Sequence, residues 1–288
     1  MTTLEWRIGD VNVTRIVEME MAAAYNPDAA FLKEATPKTL RTMPWLYPHF
    51  VTDKDELKLS IHALLVEAPG LKLIVDTCIG NDKPRSMLGG APLQTKFLQS
   101  LEAAGCKREA VNKVICTHLH VDHVGWNTML EGGRWVPTFP NARYLIGKQE
   151  YTHWKKEGDA ETQTILGDSV QPIFDRGLVD LVEMDHRLSP EIHLMPTPGH
   201  TPGHVSVVIE SKGQRAVITG DMLHHPCQFG HPEWSPSFDS DPVAGASMRR
   251  SVMEKVADKP TLVIGTHFAA PTAGHVKRDG NAFRFDVD

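Results

Sequence analysis

Short runs of alternating apolar and polar residues dominate the first quarter of the chain. Such alternation is typical of half-buried β-strands, and each run ends at Gly or Pro residues that are typical of turns. Four strands are predicted in this way, at residues 4–8, 11–17, 59–67 and 71–76. Between the two pairs, residues 26–56 are rich in Pro and aromatic residues and show no regular period. This region is therefore predicted to hold two β-hairpins separated by an irregular segment.

The rest of the chain mixes short apolar runs with two helical patterns. Apolar residues recur on one helical face after Pro92 and stop at Gly105, and a similar pattern covers 244–256. Further strands are predicted at residues 113–116, 142–146, 192–195, 205–210, 216–219 and 261–264. The hairpin strands at 72–76 and 216–221 both end in an aspartate, and this similarity between the two halves fits an α/β protein with two sheets packed face to face and helices outside. No linker interrupts the pattern, so residues 1–288 are predicted to form a single domain.

Composition narrows the class of protein. With 41% apolar and 23% charged residues, the 288-residue chain has the make-up of a soluble globular protein. A net charge of −6 argues against a nucleic-acid partner, and no apolar stretch is long enough to span a membrane. We see no signal peptide, and the four cysteines have no paired spacing, which predicts reduced thiols in the cytoplasm.

The strongest chemical signal is the segment Thr117-His118-Leu119-His120-Val121-Asp122-His123, which directly follows an apolar run. Imidazole and carboxylate groups are ligands for zinc and similar divalent metals. In an extended segment, His118 and His120 would face one side, while Asp122 and His123 would diverge toward a second point. One loop could therefore serve two metal ions. The alternative is an incidental polar loop in a chain that contains 15 histidines.

Three more candidate ligands follow predicted strands in the second half of the chain. His200, Asp221 and His267 each have a glycine nearby, which lets backbone and site come close together. For any one of them alone, a turn or capping role would be the better interpretation. Together with the first cluster they make seven metal-competent residues, which is the number that two metal ions need.

These residues resemble the metallo-β-lactamase superfamily. The resemblance runs from the 59–76 hairpin to His267 and implies a four-layer αβ/βα sandwich of two mixed sheets with helices outside. It implies one metal ion held by His118, His120 and His200, and a second held by Asp122, His123 and His267, with Asp221 bridging them. It also makes Asp76 a carboxylate that orients a ligand histidine, and leaves His204 as a structural residue.

The resemblance is strongest for the methyl parathion hydrolase and lactonase branch. The β-lactamases of this fold lack a bridging aspartate, so Asp221 points instead to lactonases, glyoxalase II and organophosphate hydrolases. Segments 220–226 and 238–242 are similar to methyl parathion hydrolase and its lactonase-like relatives. Lactonases of this family often carry a tyrosine three residues after the bridging aspartate, and that position is His224 here.

We therefore expect a metal-dependent hydrolase of small esters or lactones, with phosphotriesters as a side activity. A hydroxide shared by two divalent ions would attack the substrate carbonyl. Zn²⁺ is the first choice, and Mn²⁺, Co²⁺ and Fe²⁺ suit the same ligands. Asp122, Asp221 and His224 are the catalytic candidates, although His224 could equally be an exposed loop histidine. A homodimer is expected from the resemblance.

Three alternatives remain open from the sequence. They are a mononuclear iron oxygenase similar to persulfide dioxygenases, a glyoxalase II-like thioesterase, and a binding module without catalysis. Aromatic residues of the irregular early segment and of the segments after the motifs could wall an apolar pocket, although some of them are expected to be core or lid residues. They are Trp45, Tyr47, Phe50, Trp126, Phe229 and Trp234. An apolar wall favours neutral esters and lactones over anionic thioesters.

Overall fold

A computed structural model describes residues 3–287, so the outermost residues of the predicted domain (1, 2 and 288) lie outside the described part. The strands are β1 Glu5–Ile8, β2 Val11–Ala23, β3 Leu57–Ala68, β4 Leu71–Val75, β5 Lys113–Cys116, β6 Thr128–Glu131, β7 Arg134–Pro137, β8 Arg143–Gly147, β9 Val179–Val182, β10 Ile192–Pro196, β11 Val205–Ser211, β12 Gln214–Ile218, β13 Thr261–Ile264, β14 Ala273–Asp279 and β15 Ala282–Asp286. The α-helices are α1 Pro37–Leu40, α2 Phe97–Ala103, α3 Val121–Val124, α4 Lys148–Glu157, α5 Ala160–Ile165, α6 Gln171–Asp175, α7 Cys227–Gly230 and α8 Pro242–Val256.

Two mixed sheets form the centre of the fold. The first has seven strands in the order β1-β2-β3-β4-β5-β8-β9, and the second has six in the order β10-β11-β12-β13-β14-β15. The strands β4, β5, β8 and β9 run parallel to one another, as do β12 and β13, while the other pairs within these sheets are antiparallel. Both sheets therefore place the carboxyl ends of parallel strands at an edge where loops can build a site.

Three buried clusters define the layers. One lies between the sheets, where residues such as Val13 and Leu73 of the first sheet meet Val207 and Ile218 of the second. The second cluster packs the outer face of the first sheet against α2 and α5. The third packs α8 and the segment between β2 and β3 against the second sheet. The predicted arrangement of two mixed sheets with helices outside is confirmed, because each sheet has one face toward the other sheet and one toward helices.

The two largest corrections to the predicted boundaries concern helix α2 and strand β2. Helix α2 begins at Phe97 rather than near Pro92, because Pro92 and Leu93 form bridges with the 81–84 segment. Strand β2 continues to Ala23, beyond the predicted end at 17, because a β-bulge lies between Val17 and Met19. The bulge shifts the alternation, so an apolar pattern read from the sequence breaks there although the strand continues.

Several elements were not predicted at all. They are β6, β7, β9, β14, β15, the short helices α1, α3 and α7, and the helices between 148 and 175. Helix α4 has the sequence KQEYTHWKKE, in which Glu150 is the only buried residue. The sequence therefore has no apolar stripe from which this helix could be predicted. Within residues 3–287, no helix is both long and apolar enough to cross a membrane.

The His/Asp segment at 117–123 is held by a close approach of two chain segments. The amides of Gly125 and Trp126 donate to the carbonyls of Cys78 and Thr77, both at 2.7 Å. A Cβ atom on Gly125 would lie 1.7 Å from the carbonyl oxygen of Ile79. Only glycine allows the turn after His123 to lie this close to the turn after β4.

Replacing Gly125 with alanine should therefore destabilise the protein by about 3 kcal/mol or more, since the neighbouring backbone must move to make room. The measurement is the free energy of unfolding in urea. Gly167 is a matched control, because it has a negative φ and no atom within 4 Å of an added Cβ. Gly167→Ala should leave stability unchanged or slightly raised. A Gly125→Ala protein within 1 kcal/mol of the parent would contradict this packing argument.

Candidate metal centre

The seven residues predicted as ligands converge at one edge of the two sheets. Each lies in the segment that follows the carboxyl end of a strand, and Asp122 and His123 lie in the short helix α3 of such a segment. The loop after β5 carries His118, His120, Asp122 and His123, and the loops after β10, β12 and β13 carry His200, Asp221 and His267. Because the strands β5, β12 and β13 end at the same side of the sandwich, residues far apart in sequence meet there.

Three histidine nitrogens form the first group. His118 Nε2 lies 3.0 Å from His120 Nδ1 and 3.2 Å from His200 Nε2, and the latter two atoms are 2.9 Å apart. Tetrahedral zinc with ligands at about 2.0–2.1 Å places its ligand atoms about 3.3 Å apart. The three nitrogens are therefore spaced as ligands of one ion are.

A second group stands beside the first. His123 Nε2 and His267 Nε2 are 3.3 Å apart, and each lies 3.5 Å from a carboxylate oxygen of Asp122. Two imidazoles and one carboxylate are a ligand set that zinc and other divalent transition metals accept. This group matches the second set expected from the sequence.

Asp221 lies between the two groups. Its Oδ1 is 3.3 Å from His123 Nε2 and 3.1 Å from His267 Nε2, whereas its Oδ2 is 3.4 Å from His200 Nε2 and 3.7 Å from His118 Nε2. The side chain is buried, and Oδ1 has no hydrogen-bond partner within the described residues. A buried, unpartnered carboxylate oxygen is costly unless a cation completes its coordination, so these residues fit two metal ions.

The outer nitrogens of four histidines have hydrogen-bond partners that fix the ring orientation. His123 Nδ1 lies 2.9 Å from Asp76 Oδ2, and His267 Nδ1 lies 3.0 Å from the carbonyl oxygen of Ser60. His118 and His200 use Thr117 Oγ1 and Asp239 Oδ1, at 3.1 and 2.8 Å. With Nδ1 protonated toward these acceptors, the lone pair on Nε2 points into the centre.

Asp76 occupies the place that the sequence resemblance implied for it. Besides contacting His123, it accepts hydrogen bonds from the Thr117 amide at 2.8 Å and the Thr117 hydroxyl at 2.9 Å. One carboxylate thus anchors both ends of the 117–123 segment. Its backbone has φ +58°, an unusual conformation that directs the side chain across to β5.

Asp239 and the Ser60 carbonyl had no role assigned from the sequence. Asp239 is fully buried with Arg249, whose Nη1 lies 3.4 Å from its second oxygen. Burial raises the pKa of this carboxyl, while His224 and Arg249 act in the opposite direction. In the sequence, only the similarity of the 238–242 segment to a family motif indicated that Asp239 could have a role at the site. A backbone carbonyl such as that of Ser60 leaves no signal in a sequence.

His204, which was predicted to be structural, supports the backbone of Asp221. The Asp221 amide donates to His204 Nε2 at 2.8 Å, and His204 Nδ1 contacts the carbonyl oxygen of Thr197 at 3.1 Å. Burial lowers the pKa of His204 to about 3, which keeps the ring neutral and able to accept this hydrogen bond. His204 therefore holds Asp221 in place without joining either group of ligands.

His224 is buried rather than an exposed loop residue, with 4% of its surface accessible. Its Nε2 lies 3.1 Å from Asp221 Oδ2, and the ring lies parallel to that of His267 with centroids 5.8 Å apart. Neither ring nitrogen has a hydrogen-bond partner within the described residues. A buried imidazole with two free nitrogens beside the centre is available for a substrate or a metal ion.

A cavity of about 660 Å³ opens onto the centre. It has fourteen lining residues, of which nine are apolar, five are histidine or aspartate from the centre, and none is lysine or arginine. Its largest apolar residues are Met21, Phe31, Leu59, Ile61, Met87 and Phe238. The apolar pocket is thus present, and its apolar lining comes from β2, β3, Val121 of α3 and three loops.

The six aromatic residues that were expected to wall this pocket do not line it. Trp126 stacks on Phe97 under the first sheet, with ring centroids 5.3 Å apart. The other five, at positions 45, 47, 50, 229 and 234, belong to the core beside the second sheet. Proximity to the ligand segments in the sequence was a poor guide, because the chain directs these aromatic side chains into the core and not toward the cavity.

Comparison with known proteins places this fold and site in a family. The sequence model of the Metallo-beta-lactamase superfamily matches residues 58–267. This range includes all seven candidate ligands and covers well over half of the chain. The chain belongs to the metallo-β-lactamase superfamily.

Individual relatives are more distant. An N-acyl homoserine lactonase of Bacillus sp. is 27% identical over 173 residues, which make up 60% of this chain and 62% of the relative. The chain thus spans about six tenths of the length of this curated relative. Among solved structures, the hydrolase AbOPH of the beta-lactamase superfamily has a TM-score of 0.81 at 22% identity, covering 99% of this chain and 97% of that one. AidC, a dizinc quorum-quenching lactonase, has a TM-score of 0.79 at 21% identity, with the same coverage. These two structures establish the fold alone.

Without metal, the carboxylates would hold protons on two of the candidate ligand histidines, His123 and His267, whereas burial lowers the pKa values of His118, His120 and His200. Burial lowers the pKa of His267, but Asp221 and Asp122 outweigh it and raise this pKa to about 9. The pKa of His123 is likewise raised, by the charges of Asp221, Asp122 and Asp76 acting against burial. Burial disfavours the Asp221 carboxylate, yet the surrounding histidines hold its pKa well below the usual value.

We therefore predict that the chelated protein loses stability as pH rises from 6.5 to 9. A histidine with a raised folded-state pKa stabilises the fold fully below its unfolded pKa of about 6.5 and ceases to do so above its folded pKa. For His267 the loss is up to about 3 kcal/mol, given its pKa of about 9. The measurement is the urea midpoint of chelated protein at the two pH values.

The zinc-loaded protein is the control for this pH dependence. Metal binding needs deprotonated ligands, so its stability should not fall over the same range. His267→Gln in the chelated state should show a weaker pH dependence than the parent protein. A chelated parent protein that gains stability between the two pH values would show that the carboxylates do not hold these protons.

Proposed function

We propose that this protein is a dinuclear metal-dependent hydrolase that cleaves a lactone or carboxylic ester. The observation that carries the proposal is the position of Asp221, whose two oxygens face two separate groups of ligands. A carboxylate shared in this way suits a pair of ions a few ångströms apart. The chain's membership of the metallo-β-lactamase superfamily and its likeness to an N-acyl homoserine lactonase support the same reading.

The ligand sets are proposed as follows. His118, His120 and His200 would hold one ion, Asp122, His123 and His267 would hold the other, and Asp221 would contact both. When bound, two divalent ions lower the pKa of a shared water enough to supply hydroxide near neutral pH, and they polarise a substrate carbonyl. Zn²⁺ is the proposed ion, because the donor set is rich in imidazole nitrogen.

The protein's own residues would complete the chemistry. Asp122 lines the cavity, and its carboxylate lies beside His123 of the same group. It can therefore accept a proton from the attacking water. The free nitrogens of His224 stand where a donor could reach the substrate carbonyl or the leaving oxygen. We assign His224 this hydrogen-bonding role, which a tyrosine fills in the lactonases that the sequence resembles.

The cavity sets the substrate class. Nine of its fourteen lining residues are apolar, and Phe238 and Met87 at its mouth are each 49% exposed. Such a wall binds the hydrophobic part of a neutral substrate and offers no counter-charge to an anion. Neutral esters and lactones are therefore favoured over the anionic thioester of glyoxalase II, and uncharged phosphotriesters remain a proposed side reaction.

We also propose that the chain is one domain, acts in the cytoplasm and forms a homodimer. The four cysteines are free and buried, which suits a reducing compartment. The contacts between the two sheets form one continuous cluster, which suits a single folding unit. Light scattering on the purified protein tests the oligomeric state.

The purified protein should contain two metal ions per chain and hydrolyse neutral apolar esters or lactones. The test combines elemental analysis with a panel of an aliphatic lactone, an aryl ester, a β-lactam, a glutathione thioester and a phosphotriester. Activity should disappear on chelation, and His118→Ala should reduce kcat by about 100-fold or more because the attacking group is no longer generated.

The control for this experiment is His49→Ala, since His49 is exposed and is neither a candidate ligand nor a lining residue of the cavity. It should keep full metal content and activity. One iron ion per chain without hydrolysis would replace this proposal with the mononuclear oxygenase alternative. Turnover of the glutathione thioester alone would replace it with the thioesterase alternative.

His224→Ala should lower kcat by about 10- to 100-fold while both metal ions remain bound, because one hydrogen bond to the transition state is lost. His224→Gln keeps an N–H donor and should recover part of that loss. His231→Ala is the control, because His231 lies in the same region but does not line the cavity. Loss of a metal ion from His224→Ala would instead make His224 a ligand.

A further inference from the structure

One ligand histidine is oriented differently from the others. The outer nitrogens of His118, His123, His200 and His267 all have hydrogen-bond partners. His120 directs Nδ1 to the centre, and no hydrogen bond from any described residue reaches its Nε2. Its orientation must therefore come from packing, since a metal ligand with a free ring would lose affinity to rotation.

The ring of His120 packs against the indole of Trp154, with centroids 5.2 Å apart and planes inclined at 56°. Trp154 is itself held in place, because its Nε1 donates to Glu150 Oε1 at 2.6 Å. Both residues lie on helix α4, four positions apart, so the indole and the carboxylate stand on the same face of that helix. The indole thus presents a fixed surface to a ligand that lacks a hydrogen-bond partner.

Glu150 joins the two loops that supply the first group of ligands. Its carboxylate is 1% exposed and accepts hydrogen bonds from Leu119 N at 3.1 Å, Thr201 Oγ1 at 2.7 Å and Gly203 N at 3.0 Å. Leu119 lies between His118 and His120, and Thr201 follows His200. A Cβ on Gly203 would lie 2.3 Å from Glu150 N, so the 200–204 loop reaches this carboxylate only with glycine at that position.

We propose that Glu150 and Trp154 are positioning residues that set the metal affinity of the His118/His120/His200 group. They do so by fixing both ligand loops and the ring of His120 without touching the metal ion. This inference rests on the proposed function, since it requires that this group binds metal. Within the described residues, no hydrogen bond or ring contact joins Asp122, His123 or His267 to Glu150 or Trp154, so the second group should not depend on them.

The chain contains a matched control for this pair. Glu18 Oε1 accepts from Trp126 Nε1 at 2.6 Å, and the carboxylate also accepts from the amides of Ile79 and Gly80. This carboxylate–indole pair has the same chemistry and length as Glu150–Trp154. However, Trp126 stacks on Phe97 rather than on a histidine of the centre. Variants of the Glu18–Trp126 pair therefore show the effect of losing a carboxylate–indole hydrogen bond when the packing against His120 is kept.

The experiment is competition of Zn²⁺ between a chromophoric chelator and the full-length protein, which resolves the affinities of the two sites. The absorption spectrum of Co²⁺-loaded protein identifies the affected group, with His120→Ala and His267→Ala as references. Trp154→Ala should weaken one site by about 10- to 100-fold and change the Co²⁺ spectrum as His120→Ala does. Trp154→Phe keeps an aromatic face and should fall between the parent protein and Trp154→Ala.

Glu150→Gln tests the loop contacts separately. Its amide can still accept from Leu119 and Trp154, but its NH₂ group would then face the amide of Gly203, which cannot accept. The same site should weaken by about 10-fold. Glu18→Gln and Trp126→Phe should leave both affinities unchanged. If Glu150→Gln does not fold, the two Trp154 variants still decide the question.

The outcomes separate this inference from the proposed function. A parent protein that binds fewer than two ions contradicts the proposed function, whatever the variants do. A parent protein with two ions, whose Trp154 variants keep both affinities within about threefold, overturns the positioning role alone. Equal weakening of both sites in the Trp154 variants also overturns it, because the effect would then be general destabilisation.

Discussion

The buried carboxylate of Asp221 is the interaction on which the rest of the site depends. It places two oxygens among histidines from three other loops, and one of those oxygens has no protein partner within the described residues. A charge in this position is tolerated only if cations or protonated imidazoles surround it. The hydrogen bond from its own amide to His204 fixes the backbone, so the carboxylate cannot turn away to relieve the cost. The surrounding loops are therefore constrained to bring positive charge to this point.

Three buried carboxylates behind the ligands hold these loops in place through hydrogen bonds. Asp76 fixes the loop after β5, Asp239 fixes His200, and Glu150 ties the loops after β5 and β10 together. Each of these carboxylates is buried, and each is satisfied by several donors. Rigid support of this kind leaves the open side of the centre to apolar residues. The cavity can therefore vary in shape without disturbing the ligands, which is how one fold serves different substrates.

Much of the fold could be predicted because the strands nearest the site have clear apolar patterns. Strands β5 and β13 match the predicted ranges, since both are short, buried and bounded by turn residues. The elements that were missed carry a different kind of pattern. Helix α4 has a buried glutamate instead of an apolar stripe, and β2 changes its alternation at a bulge near Glu18. The first irregularity places the Glu150 carboxylate against both loops that carry the first group of ligands, so there the sequence is least typical where the structure supports the centre.

The sequence alone determined the candidate ligands, because metal coordination requires particular side-chain types and the spacing in 117–123 is rarely met otherwise. It also indicated the two-sheet architecture, through the similarity of its two halves and through the family resemblance. Only the tertiary structure decided which residues support the ligands and which line the cavity. Glu150, Asp239 and the Ser60 carbonyl reach the centre through contacts between distant segments. The prediction of an aromatic wall was wrong for the same reason, because adjacency in sequence does not fix the direction in which a loop side chain points.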